Sequence, residues 1–262
     1  MRPDGADGAA THVIVVATLG SAERRLLRGR RAKPREAAPE PSPAPVATGR
    51  VTVIDAQPSE LAAAERWLSG AGPEVAAPAL VELGRLVRAH RISSADPGVP
   101  LPHQSQALVV RVGYGAGEEV AHGRWSEARE LPPADAERTR RRSHALRPQE
   151  RIAALLSGRS HALACEELAL RARHDLDHAQ LREAALQLRT ALDAALAELP
   201  RTPQAAELTE RVEELRRLHG PVVALADDAL GGVIPPEAAQ TLEETLRRLE
   251  AALRARTVAE GR

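Results

Sequence analysis

Residues 162–199 read ALACEELALRARHDLDHAQLREAALQLRTALDAALAEL, and this stretch decides the fold. Cys165, Leu168, Ala169, Ala172 and Leu176 recur at steps of three and four, which lines them along one side of an α-helix. Ser160 stands where its hydroxyl can accept from a backbone N–H of the first turn. Leu181, Ala185, Leu188, Leu192, Ala195 and Leu199 then alternate steps of four and three, the seam of a helix packed lengthwise on others. The polar link Asp177-His178-Ala179-Gln180 is short, which favours antiparallel neighbours.

The same grammar continues downstream. Pro148, with Glu150 in its first turn, opens a helix that Gly158 closes. Thr202-Pro203 starts a helix with Ala205, Leu208, Val212, Leu215 and Leu218 on one face, and Gly220-Pro221 is expected to stop it. Val222 to Leu230 follows as a short apolar helix closed by Gly231-Gly232. Pro236 opens the last helix, whose seam is Ala239, Leu242, Leu246, Leu249 and Leu253, flanked by Glu243/Arg247 and Glu244/Arg248 at favourable i,i+4 spacing. Residues 148–262 therefore predict an antiparallel helical bundle.

The front of the chain reads differently. Residues 1–49 are expected to be a flexible tail and proline-rich linker, with Pro34, Pro39, Pro41, Pro43 and Pro45 holding the backbone extended. One strand is expected in this region, at 13–18. Residues 50–133 predict a small α+β domain. Its strands are Val51 to Ile54 and Leu108 to Val112, and its two helices begin after Ser59 and at Pro78. Helices between these strands suggest a crossover unit with parallel strands. Residues 134–147 form an arginine-rich connector. The fold class is α+β, mainly α.

Composition bounds the function. Among 262 residues, aromatics make up 1% with no Phe, so the core must be Leu, Val and Ala, and little is offered for stacking nucleobases. Formal net charge is zero, which removes any general attraction to nucleic acid or acidic membranes. Lys33 is the sole lysine, a bias that fits GC-rich coding. One cysteine excludes an intrachain disulfide and suits a reducing, cytoplasmic setting. No apolar run approaches the ~20 residues a bilayer-spanning helix needs, and Val13 to Leu19 lacks the flanks of a secretory leader.

Residues 162–199 also carry a resemblance. Ala169 and Ala172, then Arg182-Glu183-Ala184-Ala185-Leu186 and Ala191-Leu192, with Pro200 at the end, resemble a tetratricopeptide hairpin. The resemblance covers one unit. No second copy appears at the repeat's period, so it implies a helical hairpin and not a solenoid.

Four groups could carry chemistry. His161, Cys165, His174 and His178 have the makeup of a zinc set. The two pairs are nine residues apart on a continuous helix, which separates them by ~13 Å and half a turn of azimuth. His174-Asp175, with His178 nearby, is similar to the metal-binding pair of HD-type metal-dependent phosphohydrolases. That resemblance implies a divalent ion held with help from His144 or His161 and from Asp227 or Asp228. The plainer reading is a solvated helix end. Gly113-Tyr114-Gly115-Ala116-Gly117 follows a strand and could cradle phosphate, although Glu118 and Glu119 oppose an anion there. The basic runs 24–35 and 138–147, with Arg138, Arg140, Arg141 and Arg142 as candidate phosphate contacts, could bind nucleic acid.

The reading preferred here is a non-catalytic, cofactor-free protein–protein interaction or assembly module. It is expected to meet a protein partner or a second copy through a helix face made of Leu181, Leu188, Leu192, Leu242, Leu246, Leu249 and Leu253. A nucleic-acid accessory protein and an HD-like phosphohydrolase are the alternatives.

Overall fold

The structure is a computed structural model that describes residues 11–20, 48–132 and 148–260. The chain divides into two compact units at Pro133/Ala134. It is mainly α, with two small two-stranded sheets in the first unit and a helical bundle in the second.

In the first unit, β1 (His12–Leu19) pairs along its whole length with β2 (Thr48–Asp55) as an antiparallel ribbon, from His12 opposite Asp55 to Leu19 opposite Thr48. The strand expected at 13–18 is therefore present and belongs to a sheet rather than to a tail. Helices α1 (Leu61–Gly70) and α2 (Ala76–Ser94) follow. β3 (Arg111–Tyr114) then pairs antiparallel with β4 (Glu127–Glu130), with a 3₁₀ turn over Gly117–His122 between them.

The expected parallel crossover is not formed. Val51–Ile54 and the strand that begins at Arg111 each take a different, antiparallel partner. β1 matches β2 residue for residue, and β4 reaches β3 across a short connection, whose closure costs less chain entropy. Ser59 does not cap α1: its N-cap is Glu60, without a side-chain cap. Leu68, Ala71, Val112 and Leu131 form a small buried cluster, with Val75, Val110 and Tyr114 against it.

The second unit begins with α3 (Pro148–Leu156). Its bundle is built from α4 (Ala164–Asp177), α5 (Leu181–Glu198), α6 (Ala205–Leu230) and α7 (Ala238–Glu260). Cross-helix bonds fix the directions. Glu198, ending α5, accepts from the backbone N–H groups of Ala164 and Cys165, which open α4. Arg182, at the start of α5, donates to the Ala229 carbonyl at the end of α6. Arg173, late in α4, meets Glu243, early in α7. Consecutive helices are thus antiparallel. Leu188, Leu192, Leu199, Leu208, Leu215, Leu242, Leu246 and Leu249 are the largest apolar side chains of a core that alanines knit closely.

Two expectations about helix ends are corrected. Ser160 does not cap α4; its hydroxyl donates to Glu260 at 2.6 Å, and Glu198 serves the first turn instead. Gly220-Pro221 does not stop α6, which runs unbroken through both residues. The buried positions explain why. Leu208, Val212, Leu215, Val222, Ala226 and Ala229 stay in one heptad phase across the proline. Burying Val222, Ala226 and Ala229 offsets the ~3 kcal/mol that proline costs a helix interior, and Pro221 itself lies on the exposed side.

Candidate functional site

At the histidine-rich end of α4 the described side chains form no metal-ligand set. His178 is buried, and its Nδ1 donates to the His174 carbonyl at 2.7 Å, closing the helix on itself. The two imidazoles lean on each other, with ring centroids 4.4 Å apart. The Asp175 carbonyl accepts from the N–H groups of His178 and Gln180, so this residue shapes the turn. Asp227, the distant carboxylate implied by the HD resemblance, pairs with Arg189 at 2.8 Å between α5 and α6. His161 and Cys165 stand at the opposite end of α4. His144 lies outside the described residues. Among the described residues no group of three or more His, Cys, Asp or Glu side chains is placed to hold a metal ion.

Cys165 is fully buried beside Glu198. Burial pushes its thiol well above the ordinary range, and the neighbouring carboxylate pushes it the same way. A thiol held protonated is not a nucleophile. For Glu198, burial alone would raise the carboxyl pKa. Hydrogen bonds from the Cys165 backbone and thiol and from the Ala164 backbone, with Arg256 nearby, outweigh that and hold it below the usual range. The pair is a helix cap in which a carboxylate meets the positive end of α4.

The glycine run is a hairpin connection. Gly113 lies inside β3, where a Cβ would sit 2.4 Å from the Glu127 carbonyl oxygen, so the close approach of β4 requires glycine. Gly117 takes φ +67° to open the 3₁₀ turn, whose first residues are Glu118 and Glu119. Glu119 is held by Arg124 at 2.9 Å. The run does not lead into an α-helix, and two acids occupy the place an anion would take.

The leucine face expected to meet a partner is the bundle's own interior. Leu188, Leu192, Leu242, Leu246 and Leu249 are buried, and Leu181 and Leu253 are partly buried against them. The seams of α5 and α7 complement each other and those of α4 and α6, so the fold itself consumes them. Arg138, Arg140, Arg141 and Arg142, like the run at 24–35, lie outside the described residues.

Sequence reading missed a densely connected polar site among the described residues. At the base of the bundle, Glu166 Oε1 accepts from Arg151 at 2.5 Å and from Arg256 at 3.1 Å, while its Oε2 accepts from the Leu163 N–H at 2.9 Å. Arg256 is only 4% exposed; it also donates to the His161 carbonyl and lies 3.5 Å from Glu260. A second hub joins α4 to α7: Arg173 reaches Glu250 at 2.8 Å and Glu243 at 2.5 Å. Burial works against the Arg173 charge, but these two carboxylates more than offset it and raise its pKa. The i,i+4 steps from Arg256 to Glu260 and from Arg173 to Asp177 were local signals; the bonds of Glu166 to Arg151 and Arg256, and of Arg173 to Glu243 and Glu250, join residues far apart in sequence.

A shallow groove of about 400 Å³ runs between the start of α6 and the end of α7, lined by Leu208, Arg211, Ala251, Arg254, Ala255 and Val258 among others. No described helix is long and apolar enough to cross a membrane. No family model, curated protein or solved structure matches the chain.

Proposed function

We propose that this chain is a non-catalytic protein–protein interaction or assembly module, and that its contact surface lies on the first unit rather than on the leucine seams of the bundle. One observation carries the reading. The first unit leaves large apolar side chains in water beside a very small buried cluster. Trp67 is 45% exposed, Ile92 71% and Val16 65%, and Leu61, Leu108 and Val109 are exposed as well. Single exposed apolar residues are ordinary, but this many around so small a core mark a surface that gains by being covered. The single buried Cys165 suits a reducing compartment, and a cytoplasmic setting is part of the proposal.

Sedimentation of the full chain tests it, alone and with cross-linked extract of its own cells, beside a Trp67→Asp/Ile92→Asp variant. The proposal expects a larger species, either self-associated or bound to a partner, that the variant loses while keeping its helical content. A strict monomer that cross-links identically in both forms would defeat it.

A further inference from the structure

Among the described residues, β1 is the one strand without an acid or an arginine. β2 carries Arg50 and Asp55, β3 carries Arg111, and β4 reads Glu-Ala-Arg-Glu. β1 reads HVIVVATL, with no proline, and pairs with β2 through eight consecutive positions without a bulge. Its sheet ends at two strands, and no backbone group of His12–Leu19 bonds to a described residue outside that ribbon. The second edge of β1 is therefore a bare row of N–H and C=O groups. Proteins guard such edges with charges, prolines, bulges or shortness, because an unguarded one templates another strand. The strands of the other sheet are four residues long and charged. β1 has none of these guards.

The register assigns the faces. Residues directly opposite across a ribbon point to the same side. Val15 with Thr52 and Ala17 with Arg50 share the inward face: Thr52 is buried, and the Arg50 guanidinium lies 3.0 Å from where a Cβ on Gly123 would sit. Ile14 with Val53 and Val16 with Val51 share the other face, and it stays in water, Val16 at 65% exposure. A two-stranded ribbon alone is marginal in water, and further strands stabilise it.

The strand is its own complement. A two-fold axis normal to the sheet runs β1 antiparallel to β1 of a second copy and keeps the faces continuous. Centred on Val16, it sets Val16 opposite Val16 and Ile14 opposite Thr18. Centred on Val15, it sets Ile14 opposite Val16 and Val13 opposite Ala17. Neither arrangement brings like charges together, and both join the Ile14, Val16, Val51 and Val53 faces of the two chains. A different partner would have to bring a neutral, β-branched edge of matching length, and the chain already holds one.

We infer that β1 pairs with β1 of a second copy, joining the two ribbons into one continuous antiparallel sheet. The inference rests on the reading that the first unit carries the contact surface, and it names the occupant as the chain itself.

Sedimentation of the full chain without extract tests this, beside Val16→Lys and Val16→Glu. Val16 is solvated in the single chain, so both variants should keep the ribbon. The unmodified chain should sediment as a dimer that dissociates on dilution. Each variant alone should weaken the dimer about tenfold or more, since like charges then crowd the axis. An equal mixture of the two should restore it, as contact of the strand with itself requires. A chain that stays monomeric at high concentration would overturn the inference. So would a chain that enlarges only when extract is added, although the reading of the first unit would then stand. A dimer that Trp67→Asp/Ile92→Asp dissolves and Val16→Lys does not would overturn it in the same way. If Val16→Lys fails to fold, amide exchange of the unmodified chain decides. Alternate β1 amides, those aimed at the free edge, should gain protection as concentration rises while β2 amides hold steady; β1 exchange that ignores concentration would contradict the pairing.

Discussion

Thr245 shows how a single atom reports on this core. It is 1% exposed, it sits among the leucines of α7, and its hydroxyl finds no hydrogen-bond partner. A buried, unpaired hydroxyl costs stability that an isosteric methyl does not. Thr245→Val should therefore stabilise the protein by about 1 kcal/mol, seen as a higher denaturation midpoint with an unchanged slope. Glu198 acts in the opposite sense. It caps two backbone donors at the start of α4, and Glu198→Ala should cost about 1 kcal/mol. Because its folded pKa is lowered, its contribution is fully present above the ordinary carboxyl range and disappears as pH falls through the folded value. Denaturant titrations of the wild type and Glu198→Gln should accordingly differ at neutral pH, with the difference shrinking as pH falls below the ordinary carboxyl range and vanishing below the folded value. No local pattern hinted at this cap, since Glu198 lies 33 residues from Cys165.

At the scale of elements, α6 is the instructive case. A glycine followed by a proline is the strongest local stop available, yet the helix continues because its seam keeps phase on both sides. Tertiary burial outweighed propensity, and only the register of Leu215 with Val222, seven residues on, hinted at it. Pro221→Ala should raise stability by about 1–2 kcal/mol, being the helix penalty removed less the chain entropy that proline withholds from the unfolded state. A lower melting temperature would mean that Pro221 sets a bend the packing needs. The seams of α5 and α7 were legible because three-and-four spacing is a local property. Strand partners were not, because nothing in Val51–Ile54 says whether β1 or β3 will lie beside it. Nor was the Arg256–Glu166 bond, which joins residues 90 apart.

For the whole molecule, the sequence conveyed a mainly α chain ending in a bundle, and it also conveyed that the leucines mattered. It misplaced their role. A leucine seam reads the same whether it meets a neighbouring helix or a separate protein, and four seams in one chain satisfy each other. Such seams, buried against one another, make an internal core that is complete in one chain. Hydrogen exchange of α5 and α7 amides, followed as the protein is diluted from micromolar to low nanomolar concentration, tests it directly. Protection around Leu188, Leu192, Leu246 and Leu249 that holds constant across the dilution is the predicted result. Protection that falls with concentration would contradict it, for the seam would then depend on a second chain.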